Sequence, residues 1–312
     1  MPRLNPRRSA RRRAVGFTLA EVLIVLMILG IVGTAVFKVL LKQQQAYRDT
    51  ARQADMQREI RLTGSFLPAE LRSTSSAGGD ILAMAEDKVE FLANTGSSVI
   101  CEKPTLSTIY LPPLNPAGIT LTNWYSQPVV GDSVFLFNDG LDAGTVDDTW
   151  ERSAVSAVGS SSGWCTGAPY THPTLDGGKL RYSITLTTVL PDSVKVGNVV
   201  RFARPVRYQL YSASSGKWYV GLQERLNNAW TSIEAVGGPF RPFAANDSPI
   251  SGLQFRYFDS LGVRLNSIAQ AKDVSRVDVY LRTNAGMSAV TERQPNDLRD
   301  SVMMRIAVRN FK

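Results

Sequence analysis

Few side chains in this 312-residue sequence stand at spacings that could do chemistry. The one histidine, His172 in YTHPTL, has no nucleophile elbow, HExxH or P-loop around it, so a loop position is expected and no enzymatic role. No cofactor motif occurs. The two cysteines, Cys101 and Cys165, form no CxxC or Cys/His cluster. If the body of the protein lies outside the cytoplasm they can close one long disulfide loop; the other reading is two separately buried thiols. Asp139, Asp142, Asp147 and Asp148 share a glycine-containing stretch and could offer oxygens to Ca²⁺. Their spacing departs from the EF-hand loop, and a solvated turn is the competing reading. Arg201, Arg204 and Arg207 lie beside Phe202 and Tyr208 in RFARPVRY, residue types that grip phosphate and stack on bases. On a strand Arg201 and Arg207 share one face and Arg204 takes the other, with Pro205 interrupting, so nucleic acid competes there with an ordinary solvated strand edge.

The sharpest chemical signal is a carboxylate where one is costly. Residues 17–37 read FTLAEVLIVLMILGIVGTAVF, with Glu21 as the only ionisable member. As a helix this run extends about 31 Å, enough to span hydrocarbon. A carboxylate near its start costs several kcal/mol unless it is neutralised or paired. Before the run stand Arg3, Arg7, Arg8, Arg11, Arg12 and Arg13; after it, Lys38 and Lys42. The heavier positive flank is expected to stay cytoplasmic, giving an N-in, C-out single span in the cytoplasmic membrane. The whole chain carries +8, but with those six arginines set aside residues 17–312 carry about +2, so the basic composition does not argue for nucleic acid. Gly30 and Gly33 do not form GxxxG and are ordinary for a membrane helix.

These residues need elements to position them. Past the span, Val39, Leu40, Tyr47, Ala51, Ala54, Ile60, Leu67 and Leu71 recur at mostly helical spacing, which predicts an amphipathic helix over 38–75 continuing the span, with a kink or restart at Gly64 and Pro68. From about residue 81 the period falls toward two. KVEFLA, TIYLP, GITLT, SVFLF, LRYSITLTTVL, VRYQLYS, KWYVGLQER, GLQFRYF, RVDVYLRT and VMMRIAVRN read as strands. Between them NPAG, NDGLDAGTVDD, SAVGSSSGWCTGAP and AANDSP read as loops. The expected fold class is α+β: a long N-terminal helix packed on a mainly antiparallel β domain. The expected organisation is a basic leader at 1–16, the span at 17–37, the amphipathic helix at 38–75 and a β-rich extracytoplasmic domain at 76–312, with an insertion at about 94–175.

The sequence GFTLAEVLIVL across Gly16 resembles the prepilin cleavage and methylation motif of type IV pilins and type II secretion pseudopilins. The resemblance implies cleavage between Gly16 and Phe17 by prepilin peptidase, methylation of Phe17, and pairing of Glu21 with the Phe17 ammonium of a neighbouring subunit. It further implies other pilins and an inner-membrane assembly platform as partners, in a pilus or secretion pseudopilus. The order of strands in the second half is similar to minor pilins of the PilW type and to pseudopilin J of type II secretion, while the inserted region departs from both. Two other readings remain open: a pilus-tip adhesin or DNA-uptake receptor, and a single-span anchored protein that never assembles.

Overall fold

The computed structural model describes residues 16, 18–140, 147–166, 170–283 and 301–309. The apolar run and the mixed run after it form one helix, α1 (Leu19–Ser73). The chain divides into two units, Met1–Ala54 and Asp55–Lys312. In the first, no described residue is buried, although the helix there is long and apolar enough to cross a membrane. In the second, α1 buries Met56, Ile60, Thr63, Leu67 and Leu71, the spacing of one helical face. The packed stripe therefore begins at Met56. Val39, Leu40 and Tyr47, expected to lie on the β domain, are exposed. Helix runs on through Gly64 and Pro68 with no restart, and Met304 Sδ packs where a side chain on Gly64 would begin.

Past residue 80 the chain is antiparallel sheet: β1 (Ile81–Met84), β2 (Lys88–Val99), β3 (Glu102–Thr105), β4 (Thr108–Leu111), β5 (Asn123–Trp124), β6 (Ser133–Asn138) and β7 (Thr149–Ser162). A one-turn helix, α2 (Pro173–Asp176), precedes β8 (Leu180–Leu186), β9 (Val199–Ser212), β10 (Trp218–Leu226), β11 (Ala229–Trp230) and β12 (Glu234–Phe240). These strands join one sheet whose main path is β1, β2, β9, β6, β7, β8, β4, β3. A second sheet holds β13 (Leu253–Phe258), β14 (Arg264–Leu265), β15 (Arg276–Arg282) and β16 (Ser301–Ala307) in the order β14, β13, β15, β16. The mainly antiparallel α+β architecture is thus as the periodicities predict.

β9 organises the body. It pairs with β2 from Val199 to Gln209, with β6 along its first half and with β10 along its second. Two hydrophobic cores share it, the first core packing on its second half and the second core on its first half. The first half sends Val200 and Phe202 into a core with Ile100, Ile109, Leu136 and Ile184. The second half sends Val206, Tyr208 and Leu210 into a core with Leu67 and Leu71 of α1 and with Phe255, Val279 and Ile306 of the smaller sheet. Each fully buried aliphatic side chain there contributes roughly 1.5–3 kcal/mol. The second core draws on residues 100 to 202.

Three local readings differ from the structure. GITLT at 118–122 is not a strand: it follows Pro112, Pro113 and Pro116, which lack N–H donors, and Thr122 instead donates its hydroxyl to Pro112 O at 2.8 Å. The Ser- and Gly-rich stretch from Ala157 to Ser162 is strand, because β8 lies alongside and pairs with it; Gly159 faces Ser183 so closely that a Cβ would sit 2.6 Å from the serine Oγ. Pro205 does not interrupt β9. It pairs with Leu92 on one side; on the other it falls between the last partner from β6, at Ala203, and the first from β10, at Val206, where no ladder bond is needed.

Candidate functional site

The start of α1 is built from four consecutive residues of sequence. Thr18 precedes the helix and Glu21 closes its first turn. The Thr18 N–H and hydroxyl donate to Glu21 Oε2 at 3.0 and 3.1 Å, and the Glu21 N–H donates back to Thr18 Oγ1 at 3.3 Å. This is a reciprocal capping box, which satisfies helix N–H groups left without partners and holds the carboxylate at the positive end of the helix dipole. The sequence signal was present as Thr-x-x-Glu ahead of an apolar run, and the sequence reading above passed over Thr18. Gly16 is exposed with open space where a Cβ would project, whereas Phe17 and the leader residues 1–15 lie outside the described residues. Downstream, Val22 to Val25 and the apolar residues as far as Leu41 remain exposed.

The structure gives each of the three candidate arginines a carboxylate. Arg201 Nη2 donates to Asp80 at 3.1 Å and its guanidinium lies 4.8 Å from the Phe135 ring centre. Arg207 Nε donates to Glu90 at 2.7 Å and stacks over Trp230 at 4.2 Å. Arg204, on the opposite face, is buried and donates Nε and Nη2 to the two oxygens of Asp132, both at 3.0 Å. It also reaches Glu224, Ser126 Oγ and Gln127 O. Arg204 thus fastens the 126–132 segment to the sheet, and the three guanidiniums do not form one open patch.

Cys101 and Cys165 are joined as a disulfide with Cα atoms 5.2 Å apart, both buried. Beside it, His172 caps α2: its Nδ1 accepts from Leu175 N–H at 3.3 Å. Its own N–H donates to Asp176 at 2.7 Å. Asp176, which sequence reasoning missed, is fully buried and also accepts from Ala117 N–H at 2.7 Å and Lys179 Nζ at 2.9 Å. These partners, the His172 N–H foremost, hold its carboxyl down to about 2 against the opposing effect of burial. His172 and Lys179 are local to Asp176, but Ala117 meets it across 59 residues and could not be read from the sequence. Of the calcium candidates, Asp142 lies outside the described residues. Among the described residues no three His, Cys, Asp or Glu side chains converge as a metal site, so Asp139, Asp147 and Asp148 are not brought together as ligands.

Residues 11–37 match the family model of the prokaryotic N-terminal methylation motif. The match supports a pilin-type substrate of prepilin peptidase with a membrane-anchoring helix. No curated protein and no solved structure matches the chain.

Proposed function

We propose that this protein is a minor pilin or pseudopilin, a structural subunit that prepilin peptidase cuts between Gly16 and Phe17 and methylates at Phe17 before assembly. The observation that carries this reading is the methylation motif lying directly on the start of an exposed, membrane-length apolar helix. Water cannot solvate such a helix cheaply; lipid covers it before assembly and neighbouring helices cover it afterwards. The leader arginines keep the N-terminus cytoplasmic and place the β-rich body outside, where a disulfide between Cys101 and Cys165 persists.

In this scheme Glu21 has two successive partners. In the single chain Thr18 satisfies it. In the filament the Phe17 ammonium of a neighbour takes over, and a buried charge pair fixes axial register. The size of the β body, with two cores where one would pack a helix, favours a low-copy subunit near a filament end. Mass spectrometry of the mature chain tests the processing step: a new N-terminus at Phe17 bearing one added methyl group is expected, and an uncut Gly16–Phe17 bond refutes the reading. For assembly, Glu21→Ala is expected to leave membrane insertion intact and to reduce recovery of the chain in sheared filaments about tenfold or more, as loss of a buried pairing of several kcal/mol implies.

A further inference from the structure

A cavity of about 420 Å³ lies where the turn after β1, the loop at 243–250 and the strands β13 and β14 meet, within the roughly 300–1,000 Å³ of small-molecule sites. Its charged lining is already paired. Arg264 donates from both terminal nitrogens to the two oxygens of Asp247, and Nη2 stands 3.9 Å from Glu86 Oε1. Asp247 also accepts from Gln254 Nε2 at 2.9 Å and meets Arg256 Nε at 3.2 Å. Two carboxylates and two guanidiniums therefore cancel there.

The polar groups left open are neutral. Asn246 and Asp247 hold consecutive left-handed φ values of 59° and 57°, a strain that persists only where the surroundings over-determine it and that gathers at ligand sites. Here the contacts of Asp247, with its N–H donating to Glu86 Oε2 at 3.3 Å, fix the loop, and the loop sets Asn246 on the cavity. Asn266, one residue past β14, lines it as well. Both residues are exposed, and their side-chain amides make no hydrogen bond within the described residues, so each keeps N–H donors and a carbonyl acceptor. Glu86 Oε1 keeps open lone pairs, since 3.9 Å to Arg264 is too long for a hydrogen bond. Met84 and Leu265 supply apolar wall. Tyr257 adds only its ring, its hydroxyl being committed to Ala85 O and Lys88 O at 3.2 Å.

We propose that this cavity binds a neutral saccharide, with neighbouring ring hydroxyls on the amides of Asn246 and Asn266 and on Glu86 Oε1, and the C–H face of the ring on Met84 and Leu265. A sugar hydroxyl both donates and accepts, which suits amides that offer both and a carboxylate oxygen that only accepts. Other ligand classes fit less well. An anion meets the open oxygen of Glu86, a cation meets Arg264, and an apolar molecule leaves both amides unpaired. Binding here requires neither processing nor filament assembly.

The test uses the full-length chain in phosphatidylcholine nanodiscs, free of sugar-based detergent, titrated by saturation-transfer difference NMR with glucose, galactose, mannose, N-acetylglucosamine and their disaccharides. Galacturonate and glucosamine are the anionic and cationic counterparts. Asn246→Gly removes one amide while accepting the positive φ, and Asn266→Ala removes the other at an exposed position; thermal melting reports whether each folds as the parent does. Saturable binding of at least one neutral saccharide is expected, weakened about tenfold by either folded variant, as the loss of one or two hydrogen bonds implies. The charged sugars should bind more weakly, and Lys195→Ala, at an exposed position beside Val194 of the second core, should have no effect. Absence of saturable binding across the neutral sugars, binding that neither variant moves, or tighter binding of a charged sugar at the same positions overturns the proposal.

Discussion

Arg204 and Asp132 meet through two parallel N–H···O bonds with both side chains out of water, so neither can lose the other cheaply. Replacing Arg204 with Met keeps bulk but leaves Asp132 a buried carboxylate without its partner. The expected loss is about 3–5 kcal/mol in urea unfolding, and Asp132→Asn added to Arg204→Met should restore part of it. Asp176 makes a statement about pH. Its folded-state value is depressed to about 2, below an unfolded value near 3.9, so its contribution is complete above roughly pH 4 and disappears as the pH falls toward about 2. Melting curves across that window should therefore drop steeply for the parent chain and more gently for Asp176→Asn. Glu70 acts with the opposite sign. Burial raises its carboxyl, against the hydrogen bond it accepts from Tyr208 Oη at 3.0 Å, so stability is lost as the pH rises through its elevated value. Glu70→Gln keeps an acceptor for that hydroxyl and should raise the melting midpoint at neutral pH.

At the scale of elements, the disulfide closes a loop across 64 residues that contains most strands of the second core. Chain entropy alone assigns such a closure about 4 kcal/mol, and the Cys101→Ala/Cys165→Ala variant should lose 2–4 kcal/mol, with hydrogen exchange accelerating first at Ile109 and Ile184. What the sequence revealed at this scale depended on whether the information was local. The long helix and strands such as β13 and β15 were legible because periodicity acts within a few residues; the Thr18–Glu21 capping signal is just as local, yet it went unread beside the cost of the Glu21 charge. The strand at Ala157 to Ser162 was not, since serine and glycine take that form only because β8 lies alongside. The fate of Arg204 was hidden for a similar reason: Asp132 is 72 residues away and meets it only once β6 and β9 are in register. Pro205 looked disruptive because its position opposite a gap between two neighbours is a property of the sheet and not of the strand.

For the molecule as a whole, burial separates two kinds of helix within α1. From Val22 to Leu41 the apolar side chains are exposed, and from Met56 to Leu71 one face is buried in the core. The second stretch supplies Ile60, Leu67 and Leu71 at 4% exposure or less. A chain cut to begin at Asp55 is therefore expected to stay in solution without detergent and to melt in one cooperative transition. A chain cut to begin at Thr74 removes those three side chains and opens the first core along the whole contact with the smaller sheet. Truncating one buried leucine to alanine costs about 2–5 kcal/mol, so three such losses exceed most of the 5–15 kcal/mol that holds a domain together. The shorter fragment should aggregate or show a broad, non-cooperative transition in calorimetry. Leu67→Ala in the longer fragment should fall between them, with a sharp transition whose free energy is lower by about 2–5 kcal/mol. If the fragment beginning at Thr74 instead melted as sharply and as high as the one beginning at Asp55, the helix would be an appendage to the β body and the first core would have to close without it.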